Sequence, residues 1–353
     1  MSHTLGGLKE PGRKPRLAGI PAFPPIVLRL LNLLASDDVE IRDLVALVSS
    51  DPAFAAQILR VANSPLFGFR SQIDSLQSAL VILGLQRVRA LTMTVATSNH
   101  MKAALKIEEL SLCWRHMLAC AVITEELARS CSAFEDRAYS AGLLHDVGRL
   151  GLLLAHPEEY ARMLRDADHN AWDLLECEKQ SFGMDHCEAG RVLAAQWNLP
   201  PDFAIVAARH HDSQEDFQLD LLTLVHLGCK LADSLGFWVV KPLQPRTPEE
   251  IQAALPPQLK QRIHIDEARW RELLARRVQA FASADALTLS EERPPSSEPE
   301  AQDEPELQLE LPAKSHSADR QEQKPSGESQ EQLTTVMVFI FIVVLVVFFV
   351  ITR

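Results

Sequence analysis

At 353 residues the chain has room for one large domain or two modest ones, and 47% of its residues are apolar, enough for a sizeable core. Leu and Ala dominate, so strands are expected to be scarce. The net charge of −12 excludes a general nucleic-acid binder, which needs a basic face to displace counterions. Twelve acids against four bases between residues 290 and 332 account for −8 of that charge, so the rest of the chain is close to balance.

Residues 1–16 hold Gly, Pro and Lys/Arg with no apolar run and read as a loose N-terminal arm, with no signal peptide. After the extended stretch Pro21-Ala22-Phe23-Pro24-Pro25, an apolar stripe of Ile26, Val27, Leu30, Leu31, Leu33 and Leu34 predicts a helix. Asp51-Pro52 predicts the next start, because Asp caps free N–H groups and Pro fits the first turn. Its inner face is Phe54, Ile58, Leu59 and Val61, and Asn63-Ser64-Pro65 ends it. A helix over 76–83 breaks at Gly84, and another runs over 85–95.

Further helices are expected over 110–128, 138–154, 188–197, 202–210 and 219–235. Thr247-Pro248-Glu249-Glu250 is a capping box opening a helix to Ala254. Asp266 caps a last amphipathic helix reaching Phe281. No repeat recurs at a fixed period, and no Gly-rich loop follows a strand, which leaves phosphate-cradling nucleotide folds unsupported. The fold class is all-α.

Residues 288–332 are rich in Pro, Glu, Ser and Gln and cannot bury a core, so a disordered, self-repelling acidic linker is expected there. Beyond it, residues 332–352 carry no charge, and 336–351 are continuously apolar. Residues 333–351 therefore predict a transmembrane helix, near the 20 residues needed to cross the hydrocarbon layer. With only Thr352 and Arg353 after it, the expected arrangement is a single-pass tail anchor in the cytoplasmic membrane, with the N-terminal domain in the cytosol.

The six cysteines form no CxxC pair. Cys113 and Cys120 lie seven apart, on one face of a helix, and the expectation is buried free thiols in a reducing compartment. The histidines are more informative: His145-Asp146, His186 and His210-His211 with Asp212 gather imidazoles beside carboxylates, and His116 precedes them. Such donors suit Zn, Mn or Fe.

The string 141–150, Ala-Gly-Leu-Leu-His-Asp-Val-Gly-Arg-Leu, resembles the HD motif of the metal-dependent HD superfamily. Ile20-Pro21-Ala22-Phe23-Pro24, Ser50-Asp51-Pro52-Ala53-Phe54, Val61-Ala62-Asn63-Ser64-Pro65 and Ser78-Ala79-Leu80-Val81-Ile82-Leu83-Gly84 are similar to the hallmark blocks of the HDOD family, an HD-related output domain of bacterial signalling proteins. The resemblance covers about residues 17–240. It implies a two-lobed helical domain over 17–287, with an N-terminal lobe at about 17–105, an HD-like lobe at about 106–240 and C-terminal helices at about 241–287.

The resemblance also supplies candidate metal ligands: His116, His145, Asp146, His186, His210 and His211. Three departures oppose catalysis. Arg149 stands where the HD phosphodiesterases carry a phosphate-handling Lys, and Arg cannot donate a proton at neutral pH, although it can contact phosphate. No Gly-Tyr-Pro segment follows His211. The closing Asp ligand falls in register with Cys229, with Asp233 one turn on. The resemblance thus implies a regulatory module acting through signalling proteins in trans, with no cofactor required. The alternatives are a metal-dependent phosphohydrolase using Fe, Mn or Zn, and a metal or ligand sensor using the same pocket without turnover.

Overall fold

The computed structural model describes residues 20, 24–34, 41–63, 72–212 and 218–289, with side chains to Val278. The linker and the apolar segment at 333–351 lie outside the described residues. Among those described, every regular element is helical, and no single helix is long and apolar enough to cross a membrane.

The first helices form where capping and apolar spacing coincide. They are α1 (Pro25–Leu34), α2 (Ile41–Ser49), α3 (Pro52–Ala62), α4 (Leu76–Leu83) and α5 (Leu85–Met101). The Asp51 side chain accepts from the Phe54 N–H at 3.0 Å to start α3. Asn63 closes α3, and its side-chain amide then brackets Ile73, donating to its carbonyl and accepting from its N–H, both at 2.7 Å. The Asn in the Asn-Ser-Pro block is therefore a clamp on the backbone of the returning chain. Gly84 has φ of +82°, a conformation costly for other residues, and it lets α5 turn sharply off α4. Helix α5 runs six residues past its expected end and is buried from Val88 to Ser98, with α1 to α4 packed around it.

The second group is built on α6 (Glu108–Cys131). Its residues 117–123 are wholly buried, so this helix is surrounded by others rather than lying on a surface. Around it pack α7 (Ala138–Leu144), α9 (Pro157–Asn170), α13 (Leu221–Ser234) and α16 (Glu267–Leu289). Helix α8 (Val147–Ala155) lies on α11 (His186–Gln196), which in turn meets α12 (Pro201–Arg209). Helix α10 (Leu174–Phe182) packs on α9, and α14 (Pro248–Ala254) and α15 (Pro257–Lys260) lead into α16. The two groups join where α5 meets α7, with Thr94 Oγ1 and Tyr139 Oη 2.6 Å apart in the interior. The Thr247–Glu250 capping box forms as expected.

Two expectations need correction. The single helix over 138–154 is two helices, α7 and α8, broken at His145-Asp146. Helices α2, α9, α10 and α15 were not anticipated, although α9 buries Tyr160, Met163, Leu164 and Ala167 at regular helical spacing. Close approach explains the glycines around the break. A Cβ on Gly142 would meet the Cys120 carbonyl oxygen at 2.7 Å, and one on Gly148 would meet the His186 carbonyl oxygen at 1.9 Å. Helix α7 is thereby pressed on α6, and α8 on the start of α11.

Candidate metal and ion-pair centre

The α7–α8 break places His145 and Asp146 at a turn in the middle of the bundle, each 1% exposed. Helix α6 contributes His116 and Cys120, four apart and so on one face. Helix α8 contributes Arg149, α10 contributes Glu178, and α11 opens on His186 after the Asp185 cap. His210 and His211 directly follow α12, and Cys229 projects from α13.

The imidazole rings are oriented by their Nδ1 atoms. His116 Nδ1–H donates to the Phe237 carbonyl at 2.7 Å, and His145 Nδ1–H to the Gly142 carbonyl at 2.7 Å. His210 Nδ1–H donates to the Val206 carbonyl at 3.0 Å. His186 Nδ1 meets Glu178 Oε2 at 2.6 Å, and the same oxygen accepts the His186 backbone N–H at 2.8 Å. Each Nε2 therefore turns inward, the arrangement in which backbone or carboxylate partners orient a histidine toward an ion.

The centre divides into two halves. In one, His116 Nε2 lies 3.4 Å from Cys120 Sγ, which lies 3.7 Å from Cys229 Sγ. His145 Nε2 joins them, and the four donor atoms all lie within 4.8 Å of one another. The Cys120 thiol donates to Cys229, and this hydrogen bond, with the neighbouring imidazoles, holds Cys229 well below the usual thiol range. Burial lowers the affinity of His145 for a proton, but the Cys229 and Asp146 charges outweigh it and push His145 up to about 9.

In the other half a buried guanidinium occupies the middle. Arg149 Nε donates to Asp146 Oδ2 at 2.8 Å, Nη1 lies 3.7 Å from Glu178 Oε1, and Nη2 sits 3.3 and 3.2 Å from the two His186 ring nitrogens. Tyr160 donates to Glu178 Oε1 from within a stack on Phe182. His186 and His210 Nε2 approach Asp146 Oδ1 at 3.4 and 3.3 Å. Burial opposes the charge on Asp146, yet Arg149 and the imidazoles hold it well below the usual carboxylate range. Glu178 is likewise lowered by His186 and Arg149 against its burial.

The structure brings His116, His145, Asp146, His186, His210, Arg149 and Cys229 together. His211 is exposed at the mouth, its ring 4.4 Å from that of His210. Asp233 sits away from the ligand side of His116, 3.6 Å from Nδ1, so Cys229 is the α13 residue that faces the centre. A cleft of about 190 Å³, lined by Arg149, His186, His211 and Asp233 among others, leads in from the surface. Sets able to hold a metal are His116/Cys120/His145/Cys229, His145/Asp146/His210 and His186/Cys187/His210/His211. Sequence reasoning missed Glu178, Tyr160 and Cys120. Cys120 alone gave a signal, its four-residue spacing from His116.

A helical bundle with a His-Asp pair at a helix break, ringed by inward-facing imidazoles, defines a domain of HD type. The HDOD domain profile matches residues 20–213, and the chain belongs to the HDOD domain family. The fold is similar to that of an HDOD domain protein of unknown function from Geobacter sulfurreducens, at TM-score 0.61 and 26% identity over 76% of this chain and 93% of that one. It is also similar to a Shewanella amazonensis protein provisionally named a phosphohydrolase, at TM-score 0.57 and 22% identity over 76% and 96% of the two chains. An uncharacterized protein of Treponema pallidum (strain Nichols) is 26% identical over 201 residues, 56% of this chain. The match covers 38% of that curated relative, so the chain spans well under half its length.

Proposed function

We propose that the chain is a regulatory signal-transduction module that acts through protein contact, held at the cytoplasmic membrane by residues 333–351. The observation that carries the regulatory reading is the buried ion pair of Asp146 with Arg149, at 2.8 Å. Asp146 belongs to the pair on which HD hydrolysis depends, and here its charge is already satisfied by a fixed cation. A hydrolase of this type needs carboxylates free to gather metal and activate water. Arg149, wedged against Asp146, Glu178 and His186, repels a divalent ion there and can neither polarise water as a metal does nor give up its proton. The membrane part rests on the uncharged apolar run alone, and the partners are expected to be other signalling proteins.

The alternative, a metal-dependent phosphohydrolase, draws support from the convergence of His145, Asp146 and His210 on one point. The test is a phosphodiesterase assay of the full chain, loaded in turn with Mn, Fe and Zn, on linear and cyclic dinucleotide substrates. The regulatory reading expects no turnover above that of His145→Ala. Metal-dependent turnover lost in His145→Ala would sink it. Alkaline-carbonate extraction of membranes tests the anchor: the full chain is expected in the pellet, and a chain ending at Gln332 in the supernatant.

A further inference from the structure

We infer that His116, Cys120, His145 and Cys229 form a closed tetrahedral zinc site, distinct from a carboxylate-bridged HD metal centre. Tetrahedral zinc, with bonds of about 2.3 Å to sulfur and about 2.0–2.1 Å to nitrogen, sets its ligands about 3.8 Å apart for two sulfurs and about 3.6 Å for sulfur and nitrogen. The two thiols lie 3.7 Å apart, and Cys120 Sγ lies 3.4 Å from His116 Nε2. Two of the six edges of a zinc tetrahedron are therefore already close to length, and all four donors lie within 4.8 Å of one another.

Independent observations point to the same ion. His145 Nε2 is buried and makes no hydrogen bond, although its ring is fixed by the Gly142 carbonyl and aimed at the sulfurs. A buried polar atom left without a hydrogen-bond partner is costly unless something binds it. His116 shows the same design, with Nδ1 committed to a backbone carbonyl and Nε2 presented inward. Two thiolates with Zn²⁺ make a site of zero net charge, which burial tolerates. The sulfur and nitrogen donors select zinc over magnesium or manganese. All four positions are filled by the protein, so the site has no open coordination for water and serves to lock α6, the α7–α8 turn and α13 together. This inference is independent of the regulatory reading, since a closed site is neutral to partner and membrane.

The test uses the full chain purified in detergent, with metal content measured by mass spectrometry and the zinc exchanged for cobalt. The expected result is one zinc per chain and a cobalt spectrum with intense tetrahedral d–d bands and a thiolate charge-transfer band. Cys229→Ser and Cys120→Ser should each weaken zinc binding by more than the roughly 100-fold seen for outer-shell losses, whereas His210→Gln and Cys113→Ser should keep both zinc and spectrum. The cobalt spectrum of the unmodified chain stands even if a cysteine variant fails to fold. A weak octahedral spectrum without charge transfer overturns the inference. So does a chain that takes up no zinc under reducing conditions, or metal kept in Cys229→Ser and lost in His210→Gln.

Discussion

Replacing Arg149 by Leu removes the guanidinium shared by two buried carboxylates while keeping much of the side-chain volume. Arg149 is 3% exposed, Asp146 1% and Glu178 0%, so neither acid gains water when the guanidinium goes. Taking one partner out of a buried pair costs about 3–5 kcal/mol. Two acids lose the same partner here, and the His186 ring keeps only part of the compensation for Glu178, so the upper end applies. Against a total stability of about 5–15 kcal/mol that is a large share. At about 2–4 °C per kcal/mol for a domain of this size, the midpoint should fall by about 10 °C or more. The assay is thermal unfolding of the full chain followed by tryptophan fluorescence. Adding Asp146→Asn to Arg149→Leu should recover part of the loss, with a coupling of about 1–3 kcal/mol, because the stranded charge is then gone. A variant as stable as the parent, or a cycle with no coupling, would refute the ion-pair account of this half of the centre.

Two further predictions follow from the same geometry. Gly148→Ala puts a methyl group 1.9 Å from the His186 carbonyl oxygen and 2.3 Å from the Gly190 nitrogen, both backbone atoms that cannot step aside. It should cost more than about 3 kcal/mol by forcing α8 off α11, and a loss under about 1 kcal/mol in chemical denaturation would contradict the packing. Glu178 has a lowered proton affinity when folded, so its contribution is full above the unfolded carboxylate range near pH 4 and is lost as pH falls through the folded value. The parent should thus lose stability on acidification more steeply than Glu178→Gln, and equal slopes below about pH 5 would argue against it.

The fold was legible wherever a cap or a breaker announced a helix. Asp51-Pro52, Gly84 and the Thr247 box each mark a boundary that the chain respects, because they act through hydrogen bonds and φ preferences local to a few residues. The break at His145-Asp146 left no such mark: Leu143, Val147 and Leu150 continue a helical apolar pattern straight through it, and the close approach of α8 to α11 at Gly148 accompanies the turn. Glu178 was hidden for a related reason. It sits in Glu176-Cys177-Glu178-Lys179, which reads as a solvated face, yet it is the carboxylate that fixes His186, accepts from Tyr160 and forms an ion pair with Arg149 at 3.7 Å. Cys120 was read as a core thiol, and it is one; its role depends on Cys229, 109 positions away. Contacts of that range carry no signature in a single sequence.

The buried Arg149–Asp146 ion pair and Cys229, which stands in register with the closing aspartate of the HD pattern, are best understood together as the way this centre holds charge. Asp146, Glu178 and His186 are donors that would suit a divalent ion, and a guanidinium has taken that place, tethered to the chain and unable to exchange or to act as a Lewis acid. With a fixed positive charge in that half, a second carboxylate on α13 is no longer needed to neutralise a second cation. The position on α13 is then free to carry sulfur, which with Cys120 and two imidazoles makes a set suited to zinc without an open coordination position. On the proposed reading, the same two residues leave no hydroxide-generating site and make a rigid one. A domain whose centre is locked from both sides presents a fixed surface, which is what recognition by a protein partner requires and turnover does not.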